Sequence, residues 1–209
     1  MVIWEFALIW AGWVLAVGSP GSATIGIAGT AMTRGRGSAL SFSLGILAGS
    51  ASWGIAAALG LSAIMLANAW AFELIRYAGA TYLGWLALKA LRSAWSGGEA
   101  RMGMPFGGGD WALFAKGAAV HITNPKAILR WGSIYAIALP ADAAPIALLQ
   151  CFVLLYAGSI MIFVGYAFLF SSPNMLRGYA AARRWFDLGF GAFFGVASYK
   201  ILTARLGAA

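Results

Sequence analysis

The chain has 209 residues, of which 62% are hydrophobic and 10% charged, and a formal net charge of +8. A soluble domain carries about 25% charged residues, so this chain has too little charge to coat a globule, and lipid must solvate much of its surface. The basic excess does not point to nucleic acid, because the basic residues lie in short loops between apolar runs, as membrane topology signals do.

A spanning helix takes about 20 apolar residues, which leaves room for about six spans and none for a soluble domain of ordinary size. The lone Cys151 lies within an apolar run, which excludes an internal disulfide and a cysteine metal cluster.

Phe6–Thr33 is free of charge, interrupted by Gly18-Ser19-Pro20-Gly21 and ended by Arg34-Gly35-Arg36. It has Glu5 where a leader would have basic residues, and it is too long for a cleaved signal, so we read it as a retained first span. The second span is expected over Leu40–Leu61, with a tight turn near Asn68-Ala69-Trp70. The third is expected over Phe72–Leu91, with Glu73 and Arg76 in its first turns and Lys89 near its end.

A polar, glycine-rich connection, Arg92–Asp110, divides the single membrane domain into a first half (1–92), a connecting loop (93–110) and a second half (111–209). The fourth span, Trp111–Leu139, is interrupted at Asn124-Pro125 and followed by the turn Pro140-Ala141-Asp142. The fifth is Ala143–Ser171. A loop around Pro173-Asn174 leads to Arg183-Arg184, and the sixth span is Trp185–Leu202. Trp4, Trp70, Trp111 and Trp185 fall near expected span ends, as an interfacial aromatic belt requires.

Basic residues concentrate in the loops after the first, third and fifth spans, which places those loops in the cytoplasm and the C-terminus outside. If the first segment crosses, the N-terminus is outside; if it re-enters at Pro20, the N-terminus is inside. Loop charge is the same in both cases.

The halves resemble each other. Pro20 lies 14 residues before Arg34, and Pro125 lies 14 before Leu139. The third and sixth spans align without gaps at an offset of 111 residues: Glu73 with Arg184, Arg76 with Asp187, Tyr82 with Phe193, Gly84 with Gly195, Lys89 with Lys200. The first two matches form an i,i+3 pair of opposite charge in each half, with signs swapped. Because each half has three spans, the second enters from the opposite side. The expected fold is therefore all-α and integral to the membrane, with six transmembrane helices in two inverted three-helix repeats, the first helix of each broken by proline.

A proline inside a span frees carbonyls of the preceding turn, which in hydrocarbon must find protein or cavity water. Matched broken helices mark a midplane binding site. Here they are Ser19-Pro20-Gly21-Ser22 and Thr123-Asn124-Pro125-Lys126, with Ser19 and Asn124 as N-caps of half-helices whose amides suit a carboxylate. Lys126 and Arg130 share one helix face; each either holds an anionic group in a cavity or snorkels to an interface. His121, one turn before the break, is either a titrating group or a structural hydrogen-bonder. Ser41, Gly45 and Gly49, like Gly191 and Gly195, form small faces for close helix packing, and such stripes permit a homodimer where they face lipid.

These features resemble the lysine-exporter superfamily, in its branch of homoserine/threonine-type amino-acid exporters. The resemblance rests on Ser19-Pro20-Gly21, on Arg34-Gly35-Arg36-Gly37, on Gly45-Ile46-Leu47-Ala48-Gly49, on Tyr77–Trp85 running into Lys89-Ala90-Leu91-Arg92, and on Asn124-Pro125-Lys126. It is close over the first two-thirds of the chain and carried by hydropathy alone in the last third. It implies a bacterial inner-membrane exporter of amino acids or similar small metabolites, driven by the proton gradient and needing no cofactor. The chain departs from the family pattern at three places. Ser22 replaces the second proline of a Pro-Gly-Pro break, Ser50 stands where an acid commonly follows the glycine, and Arg130-Trp131 occupies an apolar, aromatic position.

The candidate binding residues are thus Ser19, Pro20, Gly21, Ser22, Ser50, Asn124, Pro125, Lys126 and Arg130. With no acid at position 50, the candidates for proton coupling are His121, Glu73 and Asp187, the two acids each being expected near a membrane edge. Arg130 motivates a more anionic substrate class. The rival readings are a metal-ion exporter of the same superfamily, disfavoured by one His, one Cys and no buried acid pair, and a non-transporting scaffold subunit. An intramembrane enzyme is disfavoured because no nucleophile–base set or zinc motif appears.

Overall fold

A computed structural model describes residues 3–19, 21–67, 69–96, 108–139 and 143–203, and among these it contains seven helices and no strand. They are α1 (Ile3–Gly18), α2 (Ser22–Ala67), α3 (Ala69–Ser96), α4 (Asp110–Ile122), α5 (Pro125–Ala138), α6 (Pro145–Leu169) and α7 (Pro173–Thr203). Ser22–Gly60 and Pro145–Leu169 are long and apolar enough to cross a bilayer, and Phe6–Gly18 is a shorter apolar helix.

Proline and glycine set the boundaries. Pro125, Pro145 and Pro173 each open a helix, where a missing amide costs nothing. Gly35 has φ 80° and ψ −178°, a conformation that strains any residue with a Cβ, and it divides α2 into arms of residues 22–34 and 36–67. Both interruptions expected in the long apolar segments are present, since α1 ends at Gly18 and α4 at Ile122.

Two boundaries differ from expectation. Helix α7, which carries the sixth expected span, begins at Pro173 rather than Trp185, because Pro173 acts as a first helical residue and not as part of a loop. Arg184, expected at the head of this helix, is therefore well inside it and exposed. Helix α3 likewise continues past Leu91 to Ser96, so part of the expected connecting loop is helical. Residues 97–107 of that loop, Asn68 and the Pro140–Asp142 turn lie outside the described residues.

Glycines permit the closest helix contacts. A Cβ on Gly45 would stand 1.9 Å from the Phe114 carbonyl oxygen, and one on Gly117 would stand 2.1 Å from that of Phe42. Gly49 meets Ala118 and His121 one turn further along. The rising order of these pairs makes α4 parallel to the second arm of α2. Helix α1 is parallel to α6 in the same way, with Gly158 against Trp10, Trp13 and Val14, and Gly18 against Tyr166. Helices α3 and α7 are antiparallel: Gly84 meets Ser198, Gly191 meets Leu91 and Ala87, and Ser93 bonds Asp187. The small stripes on Gly45/Gly49 and Gly191/Gly195 are thus filled within the chain, which removes them as an argument for a dimer.

The buried core is aromatic. Trp13, Phe42, Trp131, Tyr135, Phe163 and Phe170 are buried in one cluster. The ring centroids of Trp13 and Trp131 lie 4.2 Å apart. Each polar tip finds a partner, as burial demands. Trp13 donates to Ser159 (3.0 Å), Trp131 to Ser50 (3.2 Å), Tyr135 to the Gly54 carbonyl (3.1 Å) and Tyr156 to the Leu47 carbonyl (3.2 Å).

Candidate functional site

The two helix breaks come together. The Asn124 side-chain amide donates to the Ser22 hydroxyl (3.3 Å), and the Lys126 ammonium donates to the hydroxyl of Ser19. The Cβ position of Gly21 lies 3.9 Å from the same ammonium. Asn124 caps α5 by accepting from the Lys126 amide (3.0 Å), as its place before Pro125 predicts. In the first break Ser19 does not cap α2; its hydroxyl turns back to the Ala16 carbonyl (2.9 Å), while its own carbonyl accepts from Thr24 (3.4 Å). Pro20 lies outside the described residues.

The starts of α2 and α5 therefore meet with a lysine between them. Free amides at a helix start carry about half a positive charge. Two such starts and an ammonium form a concentrated positive site.

The breaks also leave carbonyls exposed at the ends of α1 and α4, and long-range donors cover them. The Tyr166 hydroxyl donates to the Gly18 carbonyl, and the Trp53 indole donates to the Ile122 carbonyl (3.0 Å). The donors come from α6 and from the second arm of α2, the helices that run parallel to the broken ends.

Arg130 is buried beside the meeting point, at the Ala16 carbonyl that also accepts from Ser19. Its guanidinium donates to the Ala16 carbonyl (3.1 Å) and lies 5.3 Å from the Trp13 ring centroid. A cation at the end of α1 suits that helix's dipole. Ser50 is buried and accepts from Trp131 (3.2 Å).

His121 is 1% exposed, with its ring edge-on to Phe163 at 5.7 Å. Neither nitrogen has a hydrogen-bond partner among the described residues. Asp187 is a buried acid. It is 3% exposed, near the middle of α7, and accepts from Ser93 (2.7 Å). The side chain of Glu73 lies outside the described residues. Among the described residues no three His, Cys, Asp or Glu side chains gather as a metal site.

Sequence reasoning passed over Ser93, Trp53 and Tyr166. The two aromatic residues carried a signal in retrospect, since a donor-tipped ring inside a span needs a partner. Ser93 carried none.

A helical chain whose two broken helices meet inside the bundle has the build of a membrane transporter. Residues 14–205 match the LysE type translocator family, and the chain belongs to it. It is 31% identical to the threonine efflux protein of Escherichia coli (strain K12) over 196 residues, covering 92% of this chain and 94% of that one. The threonine efflux protein of Salmonella typhimurium is 30% identical over 194 residues, with the same coverage of 92% and 94%. The homoserine/homoserine lactone efflux protein of Salmonella typhimurium is 28% identical over 132 residues, 63% of each chain. No solved structure matches the chain.

Proposed function

We propose that this protein exports amino acids or closely related metabolites across the bacterial inner membrane by alternating access, using the proton gradient. The observation that carries the reading is the meeting of the two breaks through Ser22–Asn124 and Ser19–Lys126. The substrate carboxylate binds there, held by Lys126, Asn124, Ser22 and the free amides at the starts of α2 and α5. Similarity to threonine and homoserine efflux proteins supports an amino-acid substrate.

The alternating element is a pair of inverted halves, the first built from α1 to α3 and the second from α4 to α7. Packing supports this symmetry. Each half's leading half-helix runs parallel to the other half's second long helix, and the matched helices α3 and α7 run antiparallel. A twofold axis in the membrane plane relates the halves in this way. The basic loops face the cytoplasm and the C-terminus faces outward. His121 carries the coupled proton: a buried imidazole with no hydrogen bond is costly to keep unless another state employs it.

The test is efflux from vesicles preloaded with a panel of amino acids, with Asn124→Ala and Lys126→Ala at matched expression. Accelerated efflux of at least one amino acid, reduced tenfold or more in both variants, is the expected result. Normal insertion with no flux of any amino acid would overturn the exporter reading.

A further inference from the structure

One end of the α3–α7 pair is basic, aromatic and open. The bond from Ser93 to Asp187 fixes the level of the two antiparallel helices there, so Trp95 stands opposite Trp185. Both indoles are largely exposed, at 71% and 74%. Arg92, Arg184 and Arg177 are exposed as well. Arg92 is one turn from Trp95 toward the middle of the span, Arg184 adjoins Trp185, and Arg177 is two turns further out on the same face of α7.

These side chains share one side of the pair. The helices touch where Leu91 meets Gly191. At 3.6 residues per turn, Arg92 and Trp95 are turned about 100° and about 40° from Leu91. Arg184 and Trp185 are turned about 20° and about 120° from Gly191, in the same sense. Equal senses fall on one side of an antiparallel pair. Along the axes Arg92 and Arg184 differ in level by about 6 Å, so two long side chains can reach a single headgroup.

Among the described residues of α3 and α7, no acid lies on that side. Asp187 is 3% exposed and bonded to Ser93, and Glu73 belongs to the opposite end of α3. Residues 97–107, which follow α3, carry Glu99 and Arg101 and so bring no net charge to the arginines. Lys89, one turn deeper on α3, adds to the positive charge and lies 5.1 Å from the Trp85 ring centroid.

We propose that this end of the pair holds an anionic phospholipid, its phosphate bridged by Arg92 and Arg184 and flanked by the indoles of Trp95 and Trp185. Tryptophan favours the headgroup level, arginine matches phosphate with paired donors, and basic clusters at span ends attract anionic lipid. A zwitterionic lipid offers the same phosphate but brings its own cation against the arginines. In the proposed topology the leaflet is the cytoplasmic one. Arg92 belongs to the first half and Arg184 to the second, so the lipid joins the halves at their edge.

The test titrates the purified protein in neutral detergent with phosphatidylglycerol, phosphatidylcholine or inorganic phosphate. Bound lipid is counted by native mass spectrometry, and Tm is followed in parallel. Phosphatidylglycerol should be retained and raise Tm, and neither other probe should do so at the same concentration. Arg92→Gln and Arg184→Gln should each raise half-saturating phosphatidylglycerol about fivefold, and the double variant about thirtyfold. Arg36→Gln, which removes an exposed arginine of α2, should leave it unchanged. Brominated phosphatidylglycerol should quench tryptophan fluorescence more than brominated phosphatidylcholine, and that excess should disappear when Trp95 and Trp185 are both phenylalanine.

Equal weakening by all three arginine substitutions would reveal a general attraction to basic surface and overturn the site. Equal retention of phosphatidylcholine, or an equal effect of inorganic phosphate, would overturn the choice of ligand. Excess quenching that survives the loss of both indoles would overturn the location. None of these outcomes touches the exporter reading, which stands or falls on flux.

Discussion

The ammonium of Lys126 donates to the hydroxyl of Ser19 across 107 residues of sequence, joining one helix break to the other. The Ser19 hydroxyl is itself anchored to the last turn of α1 through the Ala16 carbonyl. One lysine thus ties the start of α5 to the end of α1. On the proposed function, an arriving carboxylate would compete with Ser19 for the same ammonium, and binding would loosen the link between the two breaks.

Removing the link should therefore act on transport more than on folding. Ser19→Ala takes away one hydrogen bond, a net change of about 1 kcal/mol, and leaves Lys126 available to substrate. We expect tighter apparent binding in Ser19→Ala and weaker binding in Lys126→Met, measured as half-saturating threonine in counterflow. Equal weakening in both would mean that Ser19 contacts substrate directly.

The glycine contacts make a sharper stability prediction. A Cβ at Gly45 would meet the backbone of Phe114, and one at Gly117 the backbone of Phe42, and backbone does not swing aside. Gly45→Ala and Gly117→Ala should each cost about 3 kcal/mol or more, visible as loss of monodisperse protein or a large fall in Tm. Gly165, on α6, has nothing within 4 Å of its Cβ position. Gly165→Ala should be neutral or stabilising by up to about 1 kcal/mol.

These contacts also mark what was legible in the sequence. Proline after a small or capping residue acts locally, so both breaks and the bend at Gly35 could be placed from residue order. The four-residue spacing of Gly45 and Gly49 identified a packing face, though not its partner α4. The start of α7 was missed because Pro173-Asn174 has the composition of a turn, whereas Pro173 in fact opens the helix. Nothing local pairs Trp13 with Ser159, which are 146 residues apart, or sets Asp187 against Ser93.

The carbonyl covers on the broken helices should matter in a matched way. Tyr166→Phe frees the Gly18 carbonyl, and Trp53→Phe frees that of Ile122. An uncovered carbonyl costs about 1–3 kcal/mol where no water can replace the donor. Each variant should lower Tm in detergent by several degrees and reduce efflux, while the exposed Trp111→Phe does neither. A variant with unchanged Tm would show that water replaces the lost donor.

Arg130 invites a different expectation from the one its charge first suggests. Its bond to Ala16 and its place over Trp13 give it to the end of α1. Arg130→Met should lose a charge-assisted hydrogen bond, about 2 kcal/mol, and lower Tm. The ratio of threonine to glutamate competition in counterflow should stay as in the wild type. A shift of that ratio against glutamate would return Arg130 to the substrate.

His121 supplies the test of coupling. A neutral imidazole with both nitrogens unmatched in a buried contact is a liability of about 1–3 kcal/mol, and leucine in its place removes the polar atoms at similar size. His121→Leu should therefore be at least as stable as the wild type by Tm. If the imidazole carries the proton, the variant should still exchange labelled for unlabelled threonine but lose the acceleration of efflux by an imposed pH gradient. A variant that keeps that acceleration would release His121 from the mechanism, and coupling would then have to be sought at Glu73 or Asp187, the acids also named for the role.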